Sequence, residues 1–487
     1  MSKFNEKISH KPNAVSYEGG AVYEKSPVEA WFNFLFSSYL EDRFYETSIS
    51  QLQVFYALTE DMVKKYGPEF VAKCAFFARN ELGMRSAAQF VAGYLNDYQF
   101  DNKRAFYRNF CHRPDDVTEI FGVLDALTPT RKRSHAMVRG FGDYISSLSS
   151  YSLGKYKMNN HAYNMYDIIN ITHAHSDAID AYKRGELETP DTWETAISGA
   201  ENKDYRDKEW IRLVEENKLG YLALIRNLRN ILNSGVAYIW VEQYLCPQLR
   251  NEDAIHKSMV FPYQIYSAYK NMGVHNTAVV RSLERAFEIA VDNLPEFTGD
   301  TAIILDVSGS MTSPISRRSD ITIREAGAVY AACIALKAEH CQIIKFATTA
   351  QEFKFNKLEN IFDQIHKMDK EGGCGWGTNL VPAYKLLNRH YDRIILISDM
   401  QIMDDRGHYW GYYEEHPETA FKDYCKKYGT TKLYSFDLGN YHTQTDNPDN
   451  PNVYLCTSLS EKTLKMINLL ESGASLVDYI NENYDYR

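Results

Sequence analysis

The order of apolar and polar positions divides this 487-residue chain into two stretches with different patterning. Up to about residue 295, apolar side chains recur at helical spacing. Phe70, Val71, Cys74, Phe77 and Ala78 form one stripe, which begins after the breaker pair Gly67-Pro68. Ala87, Ala88, Val91, Ala92 and Leu95 form a second. Between Leu222 and Leu232, Leu222, Ile225, Leu228 and Leu232 fall on one side, with Arg226, Asn227, Arg229 and Asn230 mostly on the other. Few stretches before Thr301 read as strands. Successive short helices over such a length predict stacked helical pairs, an all-α solenoid, although no clean sequence period marks the repeats.

From Thr301 the pattern changes to short apolar runs separated by amphipathic helices. Ala302-Ile303-Ile304-Leu305 runs into Asp306, and Gln342–Phe346, Ile394–Ile397 and Lys432–Phe436 follow. Helical stretches lie near Ile323–Ala338 and Val381–Asn388. Strands that are almost wholly apolar and alternate with helices predict a doubly wound α/β domain, with a parallel sheet covered on both faces. The change falls between Pro295 and Asp300, after a helix at Arg285–Leu294, and predicts domains at 1–297 and 298–487. Ser460–Tyr484 reads as closing helices.

Composition narrows the class. Hydrophobic residues make up 44% and charged residues 24%, enough apolar material for more than one core. No apolar run approaches the roughly 18 residues of a membrane span, and Met1–Glu6 holds no apolar signal segment. The eight cysteines (74, 111, 246, 333, 341, 374, 425 and 456) never form CxxC, which argues against zinc ribbons and a disulfide framework. The expectation is a cytoplasmic monomer with no membrane contact.

Charge adds a local exception to a general rule. The net charge is −10, with 34 Lys and Arg against 39 Asp and Glu in residues 1–300 and 20 against 25 in residues 301–487. A polyanion would therefore need a local basic patch. Residues 128–175 supply one: Arg131, Lys132, Arg133, Arg139, Lys155 and Lys157 face only Asp143 and Asp167, and His135, His161, His173 and His175 lie among them.

The sharpest local signal is Asp306-Val307-Ser308-Gly309-Ser310-Met311, at the C-terminal end of an apolar run, the sheet edge where α/β folds bind ligands. Asp306, Ser308 and Ser310 alternate, so three oxygen-bearing side chains can converge. Gly375-Trp376-Gly377-Thr378-Asn379 adds a flexible loop with a hydroxyl, and Ile397-Ser398-Asp399 ends another run in a carboxylate. Carboxylates, hydroxyls and waters suit Mg²⁺ or another hard divalent cation, with an open position for a partner's carboxylate. Serine and aspartate caps would account for the residues separately but not for the order of the three elements. A dehalogenase-type phosphatase would need an Asp where Ser308 stands, and GxxxxGK[ST], GxSxG and HExxH are all missing. No catalytic set can be assembled, and the chain reads as a non-enzyme.

These residues resemble the metal-ion-dependent adhesion site of von Willebrand factor type A domains. Asp306, Ser308 and Ser310 match that family's DxSxS, Thr378 its second-loop Thr and Asp399 its third-loop Asp. In the helical half, Leu222–Asn230 resembles the "LLRNL" helix of TROVE modules, found in the Ro ribonucleoprotein family. Met165–His173 resembles that family's "DLLRLSH" segment, with Asn170 in place of an Arg, and Arg281–Phe287 its junction with the A domain. The resemblance implies a HEAT-like helical ring closed by a Rossmann-like A domain, which binds small Y-like noncoding RNA outside and single-stranded 3′ ends of misfolded RNA in its hole. It implies a part in RNA quality control, beside an exoribonuclease or another protein with an acidic contact. By position, Lys155, Lys157 and His173 correspond to the family's RNA-facing segment. Arg131, Lys132, Arg133 and Arg139 are candidates from charge alone, and the 36 tyrosines offer stacking surfaces. Arg226 has two equal readings, an RNA contact or an anchor of helix packing. The competing reading of the whole chain is a protein-interaction scaffold whose metal site docks an acidic partner.

Overall fold

The computed structural model describes most of the chain. Outside the description lie residues 1–11, 38–47, 128–131, 403–415 and most of 458–475, with positions 13, 17–18, 25–26, 157, 159–160, 189, 316–319, 371, 440–442, 448–449, 451 and 487. The chain forms two compact units, one of residues 1–33, 41–52 and 210–475, the other of residues 34–40, 53–209 and 476–487.

The second unit is helical. Pro68–Asn80 packs on Ser86–Tyr94, which packs on Pro114–Leu127, while Lys103–Phe110 packs on His135–Ser146 and that helix on Met165–Thr172. Both stripes read from the sequence are buried faces, with Val71, Cys74, Ala78, Ala88 and Val91 wholly inside. Two glycines let helices approach closely. A Cβ on Gly140 would sit 2.5 Å from the Arg104 carbonyl oxygen, and one on Gly142 2.6 Å from that of Thr172. A polar knot crosses the core: Arg79 Nη2 donates to Asp116 Oδ2 at 2.8 Å and Gln89 Nε2 to Oδ1 at 2.7 Å. The Leu476–Asn483 helix and the residues after it complete this unit, with the Tyr484 ring 4.9 Å from Phe77 and Asn109 Nδ2 donating to the Tyr486 carbonyl at 2.8 Å.

The first unit contains the sheet. Its strands are β3 (Phe297–Asp306), β4 (Ala338–Phe346), β5 (Ala350–Phe353), β6 (Arg393–Ser398), β7 (Lys432–Asp437) and β9 (Val453–Thr457), in the order β5-β4-β3-β6-β7-β9. All neighbours are parallel except β4 and β5, which form an antiparallel hairpin at the edge. The four apolar runs read from the sequence, in β3, β4, β6 and β7, pair parallel as expected, and the antiparallel edge strand β5 makes the whole sheet mixed. The central strands β3, from Thr301 on, and β6 are buried on both faces, which is why Ala302–Leu305 and Ile394–Ile397 are continuously apolar. The Ile323–Lys337 helix covers one face and begins with a capping box between Thr322 and Glu325.

Two short strands also occur well before Thr301. β1 (Ala14–Val15) and β2 (Ala21–Glu24) pair antiparallel, and β2 pairs with β8 (Thr443–Gln444). Helices from residue 210 onward belong with the sheet: Lys270 Nζ lies 2.6 Å from Glu325 Oε1 and the Tyr269 ring stacks on Phe362 at 4.4 Å. The compact units thus divide the chain elsewhere than the change of element type at Phe297. The helix predicted through Leu222–Leu232 is two, Tyr221–Arg226 and Leu228–Leu232, parted where Asn227 leaves helical geometry (φ −102°, ψ 9°). Among the described residues, no helix is long and apolar enough to cross a membrane.

Candidate functional site

Strand order sets the first site. The chain leaves β3 for β4 on one side and later returns to β6 on the other, so the carboxyl ends of β3 and β6 flank a topological switch point. Asp306 ends β3, and Ser398-Asp399 ends β6. Asp306 Oδ1 accepts from the Ser308 N–H at 2.8 Å and Oδ2 from Ser398 Oγ at 2.6 Å. Ser308 Oγ and Ser310 Oγ lie 3.4 Å apart, and Ser310 donates to Asp399. Gly309 N–H donates to the Trp376 carbonyl at 2.9 Å, which ties the loop carrying the buried Thr378 to the Asp306 loop.

Burial pushes the Asp306 carboxyl above its ordinary range. Burial also pushes Asp399 well above it, and the Asp306 charge adds to the effect. Two buried carboxylates that oppose each other's ionisation, among hydroxyls, form an oxygen-only donor set matched to a hard cation. No group of three or more His, Cys, Asp or Glu gathers among the described residues, so the set depends on its hydroxyls. The structure adds two residues that sequence reasoning passed over. Ser398 was visible only as the neighbour of Asp399. Asp437, opposite Ser398 on β7, ends an apolar run in a carboxylate and carried the same signal as Asp306.

The basic segment resolves into unlike parts. Arg133 is engaged internally: Nη2 donates to Asp125 at 3.2 Å and lies 2.6 Å from the Tyr163 hydroxyl, with the guanidinium 4.5 Å from the Phe121 ring centre. Lys155 lies 3.4 Å from Glu194. Lys132 and Arg139 are exposed. His173 is exposed too, capping the Met165–Thr172 helix in left-handed conformation (φ 54°). Arg131 and Lys157 lie outside the described residues.

Beside Arg139 the structure brings Arg104 and Arg108 from the neighbouring helix. Asp143 shows this grouping, held low first by hydrogen bonding from Arg104 (2.6 and 2.7 Å), then by the charges of Arg104, Arg108 and Arg139. Arg108 and Arg139 have no ion-pair partner among the described residues. His135 stands one helical turn before Arg139 and is exposed. Arg104 and Arg108 were readable as an i, i+4 pair, but they precede the stretch of reversed charge. Arg226 is in the first unit, exposed, and lines a cleft.

A helical module joined to a doubly wound α/β domain, with a DxSxS set at its switch point, defines the class as a helical protein with a von Willebrand A-type domain. The TROVE domain model matches residues 163–280 and the Ro60 vWA domain model residues 301–469, together more than half of the chain. The chain belongs to the TROVE/Ro family. The crystal structure of the Deinococcus radiodurans Ro (RSR) protein has the same fold, with a TM-score of 0.58 at 16% identity, over 90% of this chain and 99% of that one. Telomerase protein component 1 of Rattus norvegicus is 31% identical over 96 residues, and that of Mus musculus 32% over 92. These stretches are 20% and 19% of this chain but only 4% and 3% of those relatives' lengths.

Proposed function

We propose that the protein is a non-enzymatic RNA-binding scaffold, a ribonucleoprotein component that holds small Y-like noncoding RNA and the single-stranded 3′ ends of misfolded RNA for quality control in the cytoplasm. One observation carries the reading: in a TROVE/Ro-family chain that is acidic overall, the second unit presents Arg108 and Arg139 with no ion pair among the described residues. Unpaired guanidiniums on rigid helices are suited to phosphate oxygens, and exposed His135 and His173 to unpaired bases. Lys132 and Lys155 flank this face in sequence.

Asp306, Ser308, Ser310, Thr378 and Asp399 would hold Mg²⁺, which when bound supplies an open coordination position for an acidic group of a protein partner such as an exoribonuclease. Mg²⁺ should raise the thermal midpoint, and Asp399→Asn should abolish the rise. At a free concentration roughly a hundred times the dissociation constant, the gain is about 2.7 kcal/mol. The test of function is to isolate the protein at low salt from its host and sequence the RNA that accompanies it. A discrete small RNA, lost when Lys155, Lys157 and His173 are neutralised together in a folded protein, is expected. A preparation free of RNA but bound to a protein in a Mg²⁺-dependent manner would replace this reading with a protein-interaction scaffold.

A further inference from the structure

The break at Asn227 shapes a second feature. Because the helix stops and restarts there, Arg226 and Arg229 stand on either side of the break, and both line a cleft of about 410 Å³. The facing wall is the Pro262–Asn271 helix, which contributes Tyr263, Gln264, Ser267 and Asn271. No Asp or Glu lines the cleft. Among the described residues, neither guanidinium has an ion-pair partner, so the cleft carries two uncompensated positive charges.

The walls are fixed and their polar groups are partly in use. The Tyr263 ring lies parallel to Tyr330, 9° between planes and 6.4 Å between centres. Gln264 uses Oε1 to accept from the Phe261 N–H at 3.1 Å, and Asn271 uses Nδ2 to donate to the Ser267 carbonyl at 2.9 Å. The amide N–H₂ of Gln264 and Oδ1 of Asn271 are left for a ligand. Leu222 and Ile225 supply an apolar patch on the first wall. The volume falls within the range of roughly 300–1,000 Å³ usual for small-molecule sites.

We propose that this cleft binds a nucleoside monophosphate unit, its phosphate on Arg226 and Arg229 and its base between the Leu222–Ile225 patch and Tyr263. Two guanidiniums three residues apart on one wall match a phosphate's oxygens, and the free amide N–H₂ of Gln264 and Oδ1 of Asn271 offer separate polar contacts to a base or ribose. The unit is either the terminal nucleotide of an RNA strand or a free nucleotide. The first source rests on the RNA-binding reading above, and the second does not.

The experiment titrates the full-length protein with adenosine 5′-monophosphate and with a 5′-phosphorylated oligoadenylate, by calorimetry. Arg226→Gln with Arg229→Gln should weaken monophosphate binding by roughly tenfold or more, through loss of charge-assisted hydrogen bonds. Ser267→Leu, which fills the cleft and keeps both charges, should block it as well. Circular dichroism melting establishes that each variant is folded. If both ligands bind and both depend on Arg226 and Arg229, the cleft holds a strand end. If only the monophosphate binds, the cleft is a free-nucleotide site and the strand-end source is excluded. If the monophosphate does not bind, or binds the variants equally well, the cleft proposal is overturned whatever the oligonucleotide does.

Discussion

Asp116 shows how one residue's charge state can carry a helical core. Its side chain is wholly buried, and burial alone would raise its pKa. The charge and hydrogen bond of Arg79, with the backbone N–H groups of His112 and Arg113, pull it below the ordinary 3.8 instead. A depressed folded-state pKa contributes stability that is fully present above the unfolded value and lost as pH falls through the folded one. Arg79→Met should therefore cost up to roughly 3–5 kcal/mol near neutral pH, because it removes the nearer cation from a buried carboxylate and leaves only Arg85, 3.5 Å away. In urea unfolding, the gap between wild type and variant should narrow as pH falls into the acid range and through the depressed pKa at which folded Asp116 protonates. A gap independent of pH would show that Arg79 acts through packing alone. The same residue-level logic separates Arg133 from Arg139. Both were candidates from charge, yet Arg133 is engaged by Asp125 and Tyr163, whereas Arg139 only feels Asp143 at longer range and forms no ion pair among the described residues. Ion pairing is a tertiary property, so the chain's local charge could not distinguish them.

At the scale of elements, helix contacts in the second unit depend on glycine. Gly142→Ala would press a methyl group into the Thr172 carbonyl, and overpacking of this kind costs about 1–3 kcal/mol. Gly122 lies in the Pro114–Leu127 helix with nothing within 4 Å of its added Cβ. Gly122→Ala should instead stabilise by roughly 0.5–1 kcal/mol through helix propensity. Opposite shifts in midpoint test the packing, and equal shifts would refute it. Elements buried on two faces were the legible ones. Ala302–Leu305 in β3 and Ile394–Ile397 in β6 are unbroken apolar runs, and the Phe70–Ala78 stripe marks a buried helix face. β1, β2, β5 and β8 are short strands of two to four residues, too brief to show a period. The break at Asn227 was hidden as well, since neither Gly nor Pro marks it. The DxSxS set was readable because its order in sequence is its order along one sheet edge. The Arg104–Arg108–Arg139 grouping was not, because it requires two helices to be side by side.

At the scale of the whole molecule, net charge and local charge oppose each other. An excess of ten negative charges repels polyanions, so RNA affinity must come from a few well-placed cations and should fall steeply with salt. Each phosphate contact contributes roughly 0.7–0.9 to the slope of log affinity against log salt. The most direct measurement is equilibrium binding of a structured small RNA with a single-stranded 3′ end across a salt series, for wild type and for Arg108→Gln with Arg139→Gln. Neither arginine supports an ion pair, so the variant should fold as wild type does. The account predicts tight binding at low salt and a slope reduced by roughly 1.4–1.8 in the variant, corresponding to two phosphate contacts. Absence of RNA binding, or a slope that the double substitution leaves unchanged, would contradict it.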